Sequence, residues 1–192
     1  MRIIAGEYKG RPIKAPQGDL TRPTTDRVRE ALMSALISAR GGLEGTIILD
    51  AFAGSGALGL EAFSRGAAHV TFFEKDSAAL RILRANIAVL NIESSAYVLK
   101  STDILKHPPL YFQTPFDIVF LDPPYAIEPT KISHLLDVII EQGLFTQETL
   151  VSYEHSKASD SAVIACFGSK KWESVASKHY GDTTLDIFRH KR

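Results

Sequence analysis

Four consecutive residues, Asp122, Pro123, Pro124 and Tyr125, follow the apolar run Phe116-Asp117-Ile118-Val119-Phe120-Leu121. The run predicts a β-strand, and the four residues at its carboxyl end suit the holding of an exocyclic amine. The Asp122 carboxylate can accept one N–H of a planar NH2 group. Pro123 and Pro124 have fixed φ and no N–H, so the turn is stiff and a carbonyl in it can accept the other hydrogen. Tyr125 offers a flat face on which a base or an amide can stack. An amine held this way is ready to attack a methyl donor. The plainer alternative is a strand that merely ends in a Pro-Pro turn.

Upstream, Asp50-Ala51-Phe52-Ala53-Gly54-Ser55-Gly56-Ala57-Leu58-Gly59 contains a literal G-x-G-x-x-G between an apolar run and a helical pattern. Alone, this spacing fits a dinucleotide site, with Glu74 twenty positions after Gly54 for a ribose. Asp50 argues against NAD. A carboxylate at the strand end would repel a pyrophosphate, but it is favourable beside the ammonium or sulfonium of S-adenosylmethionine. Gly54 and Gly56 let the loop backbone approach a ligand closely. The candidate cofactor residues are therefore Asp50, Phe52, Ala53, Gly54, Ser55 and Gly56 of the loop, Glu74 and Lys75 at the next strand end, and Asp103 and Ile104 after the third strand. Glu74 is expected to accept both ribose hydroxyls and Asp103 the adenine amino group, with Ile104 covering the ring. The alternatives are an ordinary strand end for Glu74 and a helix cap for Asp103.

Short apolar runs alternating with helical patterns must position these residues. Strands are expected at 47–52, 69–74, 96–99, 116–121 and 150–153, with helices at 57–65, 76–90 and 129–142. This order implies an α/β fold with a parallel sheet covered on both faces. Gly181-Asp182 between 172–180 and 183–189 is a hairpin signal, so the sheet should close with an antiparallel pair. Before the sheet, residues 1–23 carry Gly6, Gly10, Pro12, Pro16, Gly18 and Pro23 and read as irregular, with room for a short hairpin. Thr24-Thr25-Asp26 offers caps for a helix over 26–39, whose apolar face is Val28, Leu32, Ala35, Leu36 and Ala39.

The 192 residues, 45% of them apolar, suffice for one large domain. A single cysteine, Cys166, excludes a disulfide within the chain and reads as a buried inert thiol. The six histidines lack metal spacing, so no metal site is expected. The start of the chain does not read as a signal peptide and no apolar run reaches the ~20 residues of a membrane span, so a cytoplasmic protein is expected. A net charge of zero hides basic ends: residues 1–40 hold eight basic and four acidic side chains, residues 41–167 eight and fifteen, and residues 168–192 six and three. The amino-terminal cluster points to a polyanion partner.

In these segments the chain resembles the class I S-adenosylmethionine-dependent methyltransferases. More narrowly, it resembles the RsmD-type bacterial small-subunit rRNA guanine-N2 methyltransferases. The resemblance is carried by Arg2–Gly6 with Gly10-Arg11, by Arg22–Glu30, by Asp50–Glu61, by Asp122–Tyr125 and by Tyr180-Gly181-Asp182-Thr183. It implies a Rossmann-like seven-stranded mixed sheet, with residues 1–40 as a basic extension and helix contacting RNA and residues 41–192 as the methyltransferase domain. It also implies S-adenosyl-L-methionine as cofactor, 16S rRNA in the small subunit or its assembly intermediate as partner, and Arg2, Lys9, Arg11, Arg22, Arg27 and Arg29 as phosphate contacts. Arg29 could equally pair with Asp26 or Glu30. A monomer is expected. Competing readings are an adenine-N6 DNA or RNA methyltransferase, a glutamine methylase (which usually carries Asn in place of Asp122), an NAD-dependent oxidoreductase, and a non-catalytic RNA-binding assembly factor.

Overall fold

The computed structural model describes residues 1–15, 26–168 and 171–191. In chain order the elements are α1 (Asp26–Arg40), β1 (Ile47–Asp50), α2 (Ala57–Ser64), β2 (His69–Phe73), α3 (Ser77–Leu90), β3 (Tyr97–Lys100), β4 (Phe116–Leu121), α4 (Pro129–Glu141), β5 (Phe145–Ser156), α5 (Asp160–Phe167), β6 (Trp172–Tyr180) and β7 (Thr183–His190). The seven strands form one sheet in the order β3-β2-β1-β4-β5-β7-β6. The first five are parallel, and β7 runs antiparallel between β5 and β6. This is the α/β architecture of the class I methyltransferases.

Local signals explain most boundaries. Asp76 caps α3, its carboxylate accepting from the N–H groups of Ala78 at 3.0 Å and Ala79 at 2.8 Å. Asn91 ends that helix in the left-handed conformation, φ 56°. Pro129 opens α4, where its missing N–H costs nothing. Strand alternation then divides the core between two faces. Ile48, Phe120 and Leu150 pack with Leu32, Leu36, Leu60 and Leu83 of α1–α3. Leu49, Val119 and Val151 pack with Ile132, Leu136, Val163 and Phe167 of α4 and α5.

The chain winds from β1 outward through β2 and β3, then returns to place β4 on the other side of β1. The strand order therefore reverses between β1 and β4, where open α/β sheets leave a crevice at the carboxyl ends of the strands. Asp50 and Asp122 stand there.

The amino-terminal segment folds back on itself through an antiparallel bridge between Arg2 and Pro12. Ile3 and Ile13 belong to the same apolar cluster as Ile48 and Phe120, so extension and sheet share one core. Its chief anchor is Glu61 of α2, which is fully buried. The Glu61 carboxylate accepts from the N–H of Ile4 at 2.8 Å and of Ala5 at 3.1 Å, and from Arg65 Nε at 2.9 Å. Gly6 passes so close to α2 that a Cβ on it would overlap the Ser64 carbonyl.

Three expectations are corrected. β1 ends at Asp50, not at residue 52. Beyond it the backbone leaves the ladder, although the Ala51 N–H still reaches the Phe120 carbonyl (3.0 Å) and the Ala53 N–H the Phe73 carbonyl (2.9 Å). β5 spans Phe145–Ser156 and is much longer than 150–153, because β7 pairs with it from Leu150 to Ser156. The apolar stretch around Cys166 is helix α5, whose Val163 and Phe167 enter the core four residues apart. Cys166 itself is half-buried against that cluster, and burial pushes its thiol up.

Candidate active site

At the end of β1 the chain turns through Gly54 (φ 54°) and Gly56 (φ 81°), backbone conformations that favour glycine. A Cβ on Gly56 would lie 2.3 Å from Leu83 Cδ1, whereas one on Gly54 would meet nothing within 4 Å. Gly56 thus seats the loop on α3, while Gly54 faces open space that a ligand could occupy. Ser55 is buried, and its carbonyl accepts from Asn86 Nδ2 at 2.9 Å. Asn86 also exchanges hydrogen bonds with Lys14, donating to its carbonyl at 3.0 Å and accepting from its N–H at 2.8 Å. One buried amide therefore ties the amino-terminal arm to the glycine loop. Sequence reasoning missed it, because a lone Asn in a helix carries no signal.

Asp50 is buried, and its Oδ2 accepts from the Gly59 N–H at 3.1 Å. Burial pushes its carboxyl up to about 7; the Gly59 bond opposes that rise and the Glu74 charge adds to it. Glu74 at the tip of β2 accepts from the Gly54 N–H at 2.7 Å and the Asp76 N–H at 2.6 Å. Its carboxylate is fixed against the glycine loop.

Asp103 Oδ2 lies 3.1 Å from Lys75 Nζ, and its Oδ1 accepts from the Leu105 N–H at 3.1 Å. Burial raises the Asp103 carboxyl, but the hydrogen bonds from Lys75 and Leu105 and the charges of Lys75 and Lys106 outweigh it and hold it below its usual value. Asp103 is not a helix cap, because a turn and no helix follows it; its bond to the Leu105 N–H closes that turn. Phe52 is half-exposed and Ala53 buried. Ile104 requires a correction. Its side chain is 2% exposed and packs into the core with Ala51 and Phe73, so it does not present a face to a ring.

Past β4, the Pro124 carbonyl accepts from the Ile127 N–H at 2.9 Å. That bond closes the turn. Tyr125 is 45% exposed, yet its hydroxyl is fixed 2.6 Å from Thr183 Oγ1 at the start of β7. Thr183 had a sequence signal, the Tyr180–Thr183 segment, but no role attached to it.

Of the basic candidates, Arg2, Lys9, Arg11 and Arg27 are exposed. The Arg11 guanidinium lies 5.3 Å from the centre of the Tyr8 ring. Arg29 is a second correction as a phosphate contact, while its alternative pairing with Asp26 holds. It is 0% exposed, and its Nη2 donates to Asp26 Oδ1 at 2.7 Å and to the Arg2 carbonyl at 2.8 Å. It holds the arm to α1 and cannot reach a phosphate. Arg22 and the cap candidates Thr24 and Thr25 lie outside the described residues. Among the described residues no His, Cys, Asp and Glu group could hold a metal ion. An open depression of about 620 Å³ lies at the other end of the sheet, among Arg40, Asp117, Glu148 and Arg189. Its Arg40 and Asp117 already pair at 2.7 Å, and it is remote from the β1–β4 crevice.

The sequence profile of the family described as conserved hypothetical protein 95, the RsmD family, matches residues 1–189. The chain belongs to this family. It is similar to ribosomal RNA small subunit methyltransferase D of Haemophilus influenzae, with 43% identity over 99% of this chain and 94% of that one. The protein of the same name in Escherichia coli is 34% identical over 93% of this chain and 86% of its own. Among solved structures, yhhF, a candidate methyltransferase of Escherichia coli, superposes with a TM-score of 0.80. The two share 31% identity, with 100% of this chain and 98% of that one covered. Within this family member, the crevice gathers the glycine loop, Glu74 and Asp103 on one side and the Asp122–Tyr125 turn on the other.

Proposed function

We propose that the protein transfers a methyl group from S-adenosylmethionine to the exocyclic N2 amine of one guanine in 16S rRNA of the small ribosomal subunit, in the cytoplasm. The observation that carries this reading is the pairing of two acid-bearing strand ends at the reversal point of the sheet. Asp50 closes β1 beside a glycine loop with room for a ligand, and Asp122 directly follows the adjacent β4 beside an open aromatic ring. The names of the relatives supply the RNA and the subunit; the acceptor groups around Asp122 favour an amine.

When bound, S-adenosylmethionine supplies a methyl group on a positively charged sulfur. Asp50 would balance its charge, Gly54 would admit its backbone-facing edge, Glu74 would hold the ribose and Asp103 the adenine amine. Around the substrate, the target base would be flipped out of its loop, at a cost of roughly a few kcal/mol in stacking. Tyr125 would stack on it. Asp122 and the Pro123 carbonyl would accept the two N2 hydrogens, drawing the lone pair out of conjugation and aiming it. Positioning supplies most of the catalysis. Arg2, Lys9, Arg11 and Arg27 would meet phosphates, which makes the affinity for RNA fall with salt.

Two outcomes follow from this arrangement. A carboxyl that titrates at about 7 in the free site and faces a cation in the complex must lose its proton on binding. Cofactor affinity therefore rises as pH increases from 5.5 to 7 and levels off above. Asp50→Asn binds more weakly and flattens the profile. Calorimetric titrations across that range check it, and a wild-type affinity independent of pH contradicts it.

The second outcome concerns Thr183→Val, which removes the partner of the Tyr125 hydroxyl. Turnover should fall about two- to tenfold, the worth of one hydrogen bond, with cofactor affinity unchanged. Undiminished turnover would show that the ring needs no anchor.

The proposal as a whole is tested by titrating the protein with S-adenosylmethionine and with NAD, then following labelled methyl into small ribosomal subunits. Binding of S-adenosylmethionine alone, with label in RNA, is expected. Binding of NAD alone, or label in ribosomal protein, overturns it.

A further inference from the structure

Glu154 lies one strand beyond Asp122, and neither the turn chemistry nor the glycine loop accounts for it. β4 and β5 are parallel, and the last pair in register is Leu121 with Tyr153; Asp122 and Glu154 are the residues that follow each. Strand alternation, carried one residue past Leu121, places both on the same face. Leu121 and Tyr153 pack against α4 and α5, so their successors project toward the α1–α3 side. Glu154 confirms this through its partner across the sheet, Leu185, which belongs to the α1–α3 cluster. Thr183, two residues before Leu185, shares that face and holds the Tyr125 hydroxyl at 2.6 Å. Glu154 also borders the same small crevice as Pro123, Pro124 and Tyr125.

Asp122, Glu154 and the anchored ring of Tyr125 thus line one side of the site, with the two carboxyl-bearing residues on neighbouring strands about 4.8 Å apart. Glu154 is 8% exposed and has an interaction within the fold. A carboxylate offers about four acceptor positions.

Resting on the reading of the substrate as guanine, we infer that Glu154 is a specificity-determining residue that accepts the N1–H of the target base. Guanine carries donors at N1 and N2 side by side on one edge, and two acceptors on adjacent strands meet both. Adenine presents an acceptor at N1, which would face a carboxylate lone pair against lone pair. The choice of guanine over adenine then lies on β5, and Asp122 holds whichever amine is admitted.

The experiment compares small subunits reconstituted with guanine or with 2-aminopurine at the modified position. 2-Aminopurine keeps the N2 amine but has no proton on N1. The wild-type protein should methylate guanine at least about a hundredfold faster, because a site built around a donor rejects an analogue lacking it. In Glu154→Gln, whose amide can donate to an unprotonated N1, that preference should shrink to within about tenfold, with cofactor affinity unchanged. Equal wild-type rates on the two bases overturn the inference without recourse to any variant. A Glu154→Gln protein that keeps the full preference overturns it as well, while the proposed function stands. No label on guanine from the wild-type protein defeats the proposed function itself, and the inference with it.

Discussion

Replacing Asp122 with alanine lowers turnover by about a thousandfold or more and leaves the affinity for S-adenosylmethionine within about twofold of the wild-type value. The size of the first effect comes from the loss of a group that aims the nucleophile, where misplacement alone costs orders of magnitude. The second follows from the layout. Asp122 stands past the end of β4, whereas the cofactor candidates are held by β1, β2 and the segment after β3. Their supporting bonds, from Gly59 to Asp50 and from Gly54 to Glu74, do not involve it. Single-turnover rates with calorimetric cofactor binding read the two separately. Near-normal turnover in Asp122→Ala would remove this residue from the chemistry.

Replacing Glu61 with alanine should destabilise the protein by about 3–5 kcal/mol, the usual result of removing one partner of a buried ionic group. Two backbone N–H groups, those of Ile4 and Ala5, and the Arg65 side chain all lose their acceptor together. The arm loosens with them, so RNA affinity falls further than cofactor affinity. Urea denaturation measures the first effect, and hydrogen exchange at the Ile4 and Ala5 amides locates it. A loss below about 1 kcal/mol would mean that the apolar contacts of Ile3 and Ile13 dock the arm unaided.

Where a single local rule decides the outcome, the sequence reading and the structure agree. The 116–121 run is β4 because its residues are buried on both faces of a parallel sheet and a proline pair stops it. The 26–39 helix is α1, extended by one residue to Arg40, because its apolar spacing matches the helical repeat. Gly181 takes φ 61° between β6 and β7 as a two-residue hairpin requires. The glycine loop and the Asp122–Tyr125 turn were visible because each concentrates rare residue types in a short span.

What escaped is decided by distant partners. Arg29 reads equally as a phosphate contact or as a partner of Asp26; the pair with Asp26 forms, and the Arg2 carbonyl, distant in sequence, is what completes its burial. α5 has only eight residues, too few for periodicity to separate a short helix from a buried strand. Glu154 and Thr183 enter the site only because β5 and β7 place them next to Asp122 and Tyr125, and no spacing along the chain encodes that adjacency.

The central claim is methylation of a guanine N2 amine, and the identity of the modified nucleoside tests it most directly. Small subunits that lack the modification are incubated with the protein and isotopically labelled S-adenosylmethionine, the RNA is digested, and the labelled nucleoside is identified by mass. The account predicts N2-methylguanosine at a single position. N6-methyladenosine, or any other labelled nucleoside, would contradict it.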